Sequence, residues 1–276
     1  MKIVISVIGL LACLFIGTKE GLAYLLDPNC AVSGNIGKIM RGRDTDILSN
    51  PWMVLVIGSR VENCGGSLIT SRFVLTAAHC ITSGPMKVRL GEYDDQYFME
   101  DCSSGVCIPR SFEVNVDSKV THKQFRDYKN DIGILRMSEI IPYSDFVRPI
   151  CILIDEEMGY VPFFSVTGWG RTESSDYSKV LQVATLENID RNICAEIFRS
   201  EFDIAQICAG SNTSDSCRGD SGGPLSAVRT YNGLNRTFQY GVVSYGLRSC
   251  SGLGVYTNVT HFTGFILRAL EYLRNR

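Results

Sequence analysis

Ser221 has the surroundings of an enzymatic nucleophile. It lies between glycines in the stretch GDSGG, and glycines suit a tight turn that brings the backbone close to a substrate. The stretch also fits the pattern G-x-S-x-G of α/β-hydrolase esterases, in which the acid and the histidine follow the serine. No Asp or Glu lies between Ser221 and His261. Chain order therefore excludes that class of esterase, and any catalytic partners of Ser221 must precede it.

Two histidines precede Ser221 and are candidates for its general base. His79 ends the apolar run VLTAAHC beside a cysteine that can hold it, whereas His122 lies in the polar stretch VTHKQFRDYKND. A general base needs a fixed ring with a carboxylate behind it, so we predict His79 as the base and His122 as a surface residue. Asp131 opens the apolar run DIGILRM. An aspartate in such a place is usually a turn residue, but together with His79 and Ser221 it completes a Ser-His-Asp set.

The elements that would hold these residues are short strands. Many β-type runs with turn signals between them recur along the chain, which is typical of antiparallel sandwiches and barrels. The C-terminal stretch HFTGFILRALEYLRNR differs, because its apolar residues recur at helical spacing and predict an amphipathic helix. These residues are Phe262, Phe265, Ile266, Ala269 and Leu273. The strand-like runs are WMVLVIG, GGSLITSRFVLTAA, MKVRLGEY, FEVNV, DIGILRM, KVLQVATLENI, FQYGVVSYG and GVYTNV.

Composition and the first residues indicate the compartment. The 276 residues suffice for one large domain or two small ones. The net charge of −2, without a long basic run, gives no support for nucleic acid or an anionic membrane as a partner. A basic start, a short apolar centre and small residues near Ala23 predict a cleaved signal peptide over residues 1–23 and a secreted protein. The alternative, a membrane anchor, needs about 20 apolar residues.

The cysteine count agrees with export. Ten cysteines follow the signal segment, and an even set in an exported chain indicates a disulfide framework. The alternative is a metal site, which the absence of any C-x-x-C pair opposes. We therefore expect no metal and no other cofactor to be required. N-x-[ST] sequons at Asn212, Asn235 and Asn258 are candidate glycosylation positions.

Five motifs in this order resemble the trypsin/chymotrypsin family of serine endopeptidases: LTAAHC, NDIGIL, TGWG, DSCRGDSGGPL and GVYTNV. The resemblance covers residues 39–276 and implies an all-β fold of two antiparallel six-stranded β-barrels, with the active site between them and a C-terminal α-helix. It implies peptide-bond hydrolysis through an acyl-enzyme. Ser221 would be the nucleophile, His79 the general base and then acid, and Asp131 the group that orients the imidazole. The backbone N–H groups of Gly219 and Ser221 match the family's oxyanion hole.

The same resemblance implies a specificity pocket. Asp215 matches the base of that pocket, where a carboxylate pairs with Lys or Arg of the substrate, so cleavage after Arg or Lys is favoured over a chymotrypsin-like preference. Gly246 and Gly254 match the glycines of the pocket wall. The segment from Ser244 to Gly246 matches the one that pairs with the substrate backbone, with Tyr245 in place of the usual tryptophan. Arg218 replaces the usual glutamine at the rim of the specificity pocket. It either favours substrates with acidic residues next to the cleavage site or is simply a solvated surface charge.

The resemblance also implies activation by cleavage. Cutting after Lys38 would remove a short propeptide, residues 24–38, and free the amine of Ile39 to pair with Asp220. Met40 and Arg41 depart from the usual Ile-Val-Gly-Gly start. The protein would then be a monomeric zymogen with an upstream trypsin-like protease as activator, protein substrates, and protease inhibitors as further partners.

The family pattern suggests how the ten cysteines pair. Cys102 and Cys107 would form a small loop seen in insect haemolymph proteases of the clip type, although residues 24–38 hold only one cysteine and therefore no clip domain. A role in an extracellular or immune cascade follows only by analogy. The suggested pairs are Cys30–Cys151, Cys64–Cys80, Cys102–Cys107, Cys194–Cys208 and Cys217–Cys250.

Two further alternatives stay open from the sequence. The acidic stretch from Glu92 to Asp101 lies where some family members bind calcium, for which carboxylate oxygens are suitable ligands; a solvated loop is the other interpretation. The second alternative concerns function, because a catalytically inactive homologue can act as a binding or scaffold protein. Such proteins usually lose the serine or the histidine, and here all three triad positions are filled.

Overall fold

The computed structural model describes residues 23–32, 43–59, 64–96, 99–171, 175, 177–211, 219–247 and 252–276. Its helices are α1 Arg191–Phe198 and α2 Thr263–Arg274, with a 3₁₀ turn at Ala78–Cys80. Its strands, in chain order, are β1 Tyr24–Leu25, β2 Arg43–Asp44, β3 Met53–Ile57, β4 Cys64–Thr70, β5 Phe73–Thr76, β6 Lys87–Leu90, β7 Asp101–Ser103, β8 Val106–Ile108, β9 Phe112–Thr121, β10 Gly133–Met137, β11 Leu153–Ile154, β12 Phe163–Gly168, β13 Gln182–Ile189, β14 Gln206–Ser211, β15 Pro224–Tyr231, β16 Leu234–Gly246 and β17 Gly252–Asn258.

The first barrel closes in the order β10-β5-β4-β3-β6-β9, with every neighbouring pair antiparallel and β9 returning to β10. Its strands carry the apolar runs noted in the sequence. The core formed by their inward-facing side chains includes Val54, Leu68, Val74, Val88 and Leu135. Closure leaves no unpaired strand edge in this barrel.

The second barrel closes in the order β12-β15-β16-β17-β14-β13, because β13 also pairs with β12. Strand β2 adds to the outside of this ring through β13. Phe164, Leu186, Leu225 and Tyr256 belong to its core. The predicted architecture of two antiparallel six-stranded barrels is therefore confirmed.

Both helices pack on the barrels. The predicted C-terminal helix is confirmed as α2, which buries Ile266, Ala269, Leu270 and Leu273. Helix α1 was not predicted from the sequence. It begins after Asp190, whose side chain accepts from Asn192 N at 2.9 Å, and it ends at a left-handed Arg199.

The N-terminal segment lies against the second barrel. Strand β1 pairs with β11, and Cys30 is disulfide-bonded to Cys151. Arg236 Nη1 donates to Cys30 O at 2.6 Å. The signal residues 1–22, as well as Lys38 and Ile39, lie outside the described residues. Among the helices of the described chain, none has the length and apolarity to cross a membrane.

Candidate active site

His79 and Asp131 form a buried hydrogen-bonded pair. His79 lies in the 3₁₀ turn after β5, and Asp131, which is 0% exposed, precedes β10, the neighbour of β5 in the barrel. His79 Nδ1 and Asp131 Oδ2 are 2.7 Å apart, and His79 N donates to Asp131 Oδ1 at 3.0 Å. Because the carboxylate accepts at Nδ1, the ring presents Nε2 for proton transfer.

Two further groups hold Asp131 from the second barrel. Ser244 Oγ donates to Asp131 Oδ2 at 2.5 Å, and Thr257 Oγ1 donates to Asp131 O at 2.8 Å. Ser244 is 4% exposed. The resemblance predicts that the backbone from Ser244 to Gly246 pairs with the substrate, and the structure adds that the side chain of Ser244 is turned to the carboxylate. The sequence did not reveal the hydroxyl contacts of Ser244 and Thr257, since they depend on the register of β16 against β17.

Ser221 lies in a segment fixed to both barrels. Gly65 N, on β4, donates to Ser221 O at 2.7 Å, and Gly222 N donates to Val243 O, on β16, at 2.8 Å. Gly222 has φ +83°, and a Cβ at this position would lie 2.2 Å from Thr76 Oγ1. Glycine is therefore required here, because only a residue without a side chain allows this close approach.

A disulfide brings the serine segment and the histidine turn together. Cys64–Cys80 is formed, and Cys80 Sγ lies 3.7 Å from His79 Nε2 and 3.5 Å from Ser221 O. The structure thus gathers all three predicted triad residues at the junction of the barrels. A buried carboxylate, an oriented imidazole and a serine on a tight turn are the parts of a nucleophilic hydrolase.

The oxyanion segment also depends on a glycine. Gly219 has φ +98°, and a Cβ there would lie 2.9 Å from Gly170 Cα and 3.2 Å from the ring of Tyr177. The segment therefore packs against the TGWG motif. The N–H groups of Gly219 and Ser221 remain the predicted donors to a substrate carbonyl oxygen.

Comparisons with known proteins agree with this geometry. The family model described as Trypsin matches residues 39–266. The chain belongs to the trypsin family. It is a serine-type endopeptidase, and the predicted resemblance to insect members of the family is confirmed.

Relatives of this trypsin-family chain include Drosophila melanogaster "Serine protease ea", 35% identical over 86% of this chain and 69% of that protein. "Melanization protease 1" from the same organism is 36% identical over 90% of this chain and 70% of its own length. The crystal structure of Drosophila Grass, titled a clip serine protease of the Toll pathway, has a TM-score of 0.75 and 29% identity, covering 87% of this chain and 75% of that one.

The glycines predicted to line the substrate pocket of this trypsin-family protease lie at the end of β16 and on β17. Gly246 pairs with Gly254 across these strands. A Cβ at Gly246 would meet only ordinary contacts, the nearest at 3.5 Å, whereas one at Gly254 would lie 2.8 Å from Tyr256 Oη. Asp215, at the predicted base of the pocket, lies outside the described residues, as does Arg218.

An aromatic wall beside the triad was not predicted. Tyr128 packs edge-on against His79, with ring centroids 5.4 Å apart, and lies 5.4 Å from Tyr245. Tyr245 in turn lies 5.4 Å from Phe198 of α1. Tyr128 has φ +59° in the stretch DYKND. The ring of Tyr128 lies beside His79 because of this unusual backbone conformation. The types of the side chains in the sequence therefore did not indicate that Tyr128 would lie there.

The predicted activation aspartate is buried against the TGWG motif. Asp220 is 9% exposed, and its Oδ1 accepts from Gly170 N at 2.9 Å. A Cβ at Gly168 would lie 2.0 Å from that oxygen. The glycines of TGWG therefore create the room that the carboxylate occupies.

Four of the five expected disulfides are formed within the described chain: Cys30–Cys151, Cys64–Cys80, Cys102–Cys107 and Cys194–Cys208. Cys217 and Cys250 lie outside the described residues.

His122 is not the free surface residue that the sequence suggested. Its ring lies edge-on to Phe262 and Phe265, at centroid distances of 5.3 and 5.1 Å. Burial lowers the pKa of His122, and the positive charges of Arg268 and His261 add to that effect. The polar sequence around His122 hid this contact, because the helix that covers it comes from the far end of the chain.

The predicted acidic loop is buried at its two ends, although Asp95 and Glu100 within it are exposed. Glu92 is 8% and Asp101 3% exposed. Glu92 Oε2 accepts from Ser111 Oγ at 2.9 Å and from Arg89 Nη1 at 3.2 Å. Asp101 Oδ2 accepts two backbone N–H groups, whereas its buried Oδ1 has no partner among the described residues. Burial raises the pKa of both carboxyls.

Two of the three sequons lie in the described chain. Asn235 is exposed on the β15–β16 hairpin. Asn258 Nδ2, the atom that would carry a glycan, donates to Ile204 O at 2.7 Å. We therefore expect glycosylation at Asn235 rather than Asn258. Asn212 lies outside the described residues.

Proposed function

We propose that this protease is a secreted zymogen of an extracellular proteolytic cascade, which cuts protein substrates after Arg or Lys once it has itself been cut after Lys38. The proposal of catalysis rests on the hydrogen-bonded pair of His79 and fully buried Asp131, which lies beside the Ser221 segment that is hydrogen-bonded to both barrels. The cascade part is supported by the relatives, which include proteins named "Spaetzle-processing enzyme" and "Melanization protease 1".

The geometry accounts for each step of peptide-bond hydrolysis. Ser221 Oγ attacks the scissile carbonyl carbon while its proton passes to His79 Nε2, and Asp131 holds the resulting imidazolium. The N–H groups of Gly219 and Ser221 donate to the oxyanion, and each such donor contributes on the order of 3 kcal/mol. His79 then returns the proton to the leaving amine, which departs from the acyl-enzyme. Water repeats the sequence and releases the acid and free Ser221.

Specificity for Arg or Lys rests on Asp215. A carboxylate at the base of a pocket whose walls hold Gly246 and Gly254 suits a long cationic side chain. A chymotrypsin-like preference would leave that carboxylate unpaired in an apolar pocket, which is costly.

Activation rests on Asp220. Its carboxylate already lies on the TGWG motif next to the Ser221 segment. An Ile39 amine that paired with it would order the oxyanion loop, because Gly219 and Asp220 are consecutive. An upstream trypsin-like protease would make the cut after Lys38, and protease inhibitors are expected to act on the active monomer.

The acidic loop is proposed to hold calcium. The support is buried Asp101 Oδ1, which has no partner among the described residues and is an oxygen ligand of the type that a hard divalent cation prefers, whereas Glu92 already accepts from Arg89 and Ser111. Such an ion would stabilise the loop and is not required for the proton transfers of the triad.

One experiment separates this proposal from an inactive scaffold protein. The purified zymogen is cut after Lys38 and assayed with matched peptide substrates that carry Arg, Lys or Phe before the cut, with Ser221→Ala as the control. We expect activity on Arg and Lys peptides only after cutting, and a loss on the order of 10⁶-fold in kcat for Ser221→Ala. No activity in the cut wild type would support the scaffold alternative, and a preference for Phe would contradict the role given to Asp215.

A further inference from the structure

A pocket opens at the mouth of the second barrel, away from the cleft. It has a volume of about 630 Å³, within the range of roughly 300–1,000 Å³ that holds ligand groups in proteins, and barrel mouths are a common place for such pockets. Its apolar lining includes buried Phe164, half-buried Met158 and the exposed side chains of Tyr160 and Ile204. Tyr160 is 79% and Ile204 60% exposed.

The pocket is separate from the substrate cleft. Tyr240 and Asn258 line it, whereas Ser244 and Gly254 lie at the cleft, on the same two strands. In each strand four residues separate the two places, which is roughly 13 Å at about 3.3 Å per residue. A residue held in the pocket is therefore not the residue that undergoes cleavage.

Tyr240 forms a buried part of the pocket wall. It is 5% exposed, and its ring lies 5.5 Å from that of Phe164, which also lines the pocket. The Tyr240 hydroxyl is buried beside Arg229, so this part of the wall presents ring surface and no accessible hydrogen-bond donor.

The surroundings of the pocket carry an excess of negative charge. Glu157 and Asp190 line it, and the exposed carboxylate of Asp155 lies nearby in the chain, whereas that of Glu156 is paired with Arg229 at 4.0 Å. Arg191 is the one Lys or Arg among the lining residues of the described pocket. Charge complementarity therefore favours a partner with basic groups, because unlike charges across an interface guide association and specificity.

We propose that this pocket, defined by Tyr160, Ile204, Tyr240 and Glu157, is a second peptide-binding site. It takes a large apolar side chain that is flanked by Lys or Arg on a partner protein. The apolar side chain fills the barrel mouth, and the flanking cations face the acidic rim. The site does not depend on the catalytic groups.

The test uses the full chain with Ser221→Ala, so that basic peptides are not cut. The probe is dye-labelled Gly-Lys-Phe-Lys-Gly amide, compared by fluorescence anisotropy with Gly-Lys-Ala-Lys-Gly and Gly-Glu-Phe-Glu-Gly amides. We expect the Lys-Phe-Lys probe to bind at least about tenfold more tightly than either comparison peptide, because only it supplies both the apolar and the cationic group.

Matched variants locate the binding. Ile204→Arg should weaken the Lys-Phe-Lys probe about tenfold or more, whereas Ile193→Arg, at an isoleucine that is 46% exposed outside the pocket, should not. Binding of the probe in the substrate cleft should be the same in all variants. Differences in affinity between the variants therefore measure binding in the pocket.

Three results would overturn the proposal: equal affinity of Ile204→Arg and Ile193→Arg, tighter binding of the Glu-Phe-Glu peptide, or a wild-type dimer in sedimentation that Ile204→Arg converts to monomer. The last result would mean that a second copy of this chain occupies the pocket. Peptidase activity of the cut wild type is measured separately, so failure here leaves the proposed proteolysis unaffected.

Discussion

At the scale of residues, the orientation of the triad depends on more than the triad. Ser244 Oγ shares Asp131 Oδ2 with His79 Nδ1, at 2.5 and 2.7 Å. A hydrogen bond to a charged group contributes about 1.5–3 kcal/mol. Ser244 therefore fixes the rotation of the carboxylate that in turn fixes the imidazole.

We expect Ser244→Ala to lower kcat roughly tenfold or more while KM changes little, because the orientation of the imidazole matters mainly in the transition state. Steady-state kinetics on a short Arg peptide measures this. The matched control is Ser226→Ala, at a buried serine that donates to Ser165 O away from the triad. Equal effects of both variants, or a change in KM alone, would rule out this positioning role.

The glycine of the serine turn offers a second prediction. Gly222 and Gly233 both have positive φ, +83° and +77°, but a Cβ would collide with Thr76 Oγ1 only at Gly222, since Gly233 has nothing within 4 Å. Gly233→Ala should therefore cost only about 1 kcal/mol for its backbone conformation. Gly222→Ala should cost at least about 3 kcal/mol more and abolish activity.

Urea unfolding of the two variants, together with activity on a short Arg peptide, measures the difference. Similar stabilities for Gly222→Ala and Gly233→Ala would mean that the serine turn has more room than the structure gives it.

Residue types and chain order were enough to propose Ser221, His79 and Asp131. They were not enough for Ser244 as a support or for Tyr128 as a wall of the cleft. Ser244 reaches Asp131 through strand register, and Tyr128 reaches His79 through a left-handed backbone. Neither register nor such a turn is encoded by a short pattern that can be read from one sequence.

At the scale of elements, helix α2 is joined to the first barrel through a titratable ring. His122, next to the end of β9, packs against Phe262 and Phe265. The titratable groups that act on it are Arg268 and His261, and both oppose its protonation. Docking of α2 is therefore linked to pH.

Because the pKa of folded His122 lies below its ordinary value of about 6.5, the unfolded chain binds the proton more readily. This contribution to stability is fully present above that value and is lost as pH falls through the lowered pKa. We expect His122→Gln to reduce the loss of unfolding free energy between about pH 7 and pH 5. Urea titrations of the wild type and of His122→Gln across that range measure it. An unchanged slope for His122→Gln would contradict the linkage.

The periodicity of the sequence was a good guide to the strands and to α2. Each strand-like run corresponds to strands in the barrels, although β9 extends to Thr121, beyond the run FEVNV. Helix α1 was not predicted because its eight residues form only about two turns, which is too short to show a clear apolar periodicity in the sequence. Its boundaries depend on the cap at Asp190 and on the left-handed Arg199, which are local features that short polar stretches often share.

At the scale of the whole molecule, function depends on two barrels that each contribute part of the triad. His79 and Asp131 come from the first barrel and Ser221 from the second, and buried Ser67 donates to Gln239 across the junction at 2.7 Å. Strand spacing alone allowed a sandwich or a barrel. The closed topology was predicted only through the family motifs, since barrel closure requires pairings between strands far apart in the chain, such as β5 with β10 and β12 with β15.

The acidic loop should affect the stability of the whole chain. A ligand that binds only the folded state stabilises it by RT ln(1 + [L]/Kd), about 2.7 kcal/mol at 100 times Kd. We expect calcium to raise Tm by roughly 5 °C, and Asp101→Asn to abolish the shift. Asp155→Asn, at an exposed carboxylate outside the loop, should leave it intact.

The calcium effect should also depend on pH in a definite direction. Burial raises the pKa of Glu92 and of Asp101, so each of these carboxyls is protonated to a larger fraction near pH 5 than an exposed carboxyl would be. A cation must displace those protons, and its stabilisation should be larger at pH 7.5 than at pH 5. Calorimetry with calcium and with a chelator at both pH values measures this. A shift in Tm that is independent of pH, or one that survives Asp101→Asn, would mean that calcium binds elsewhere on the protease.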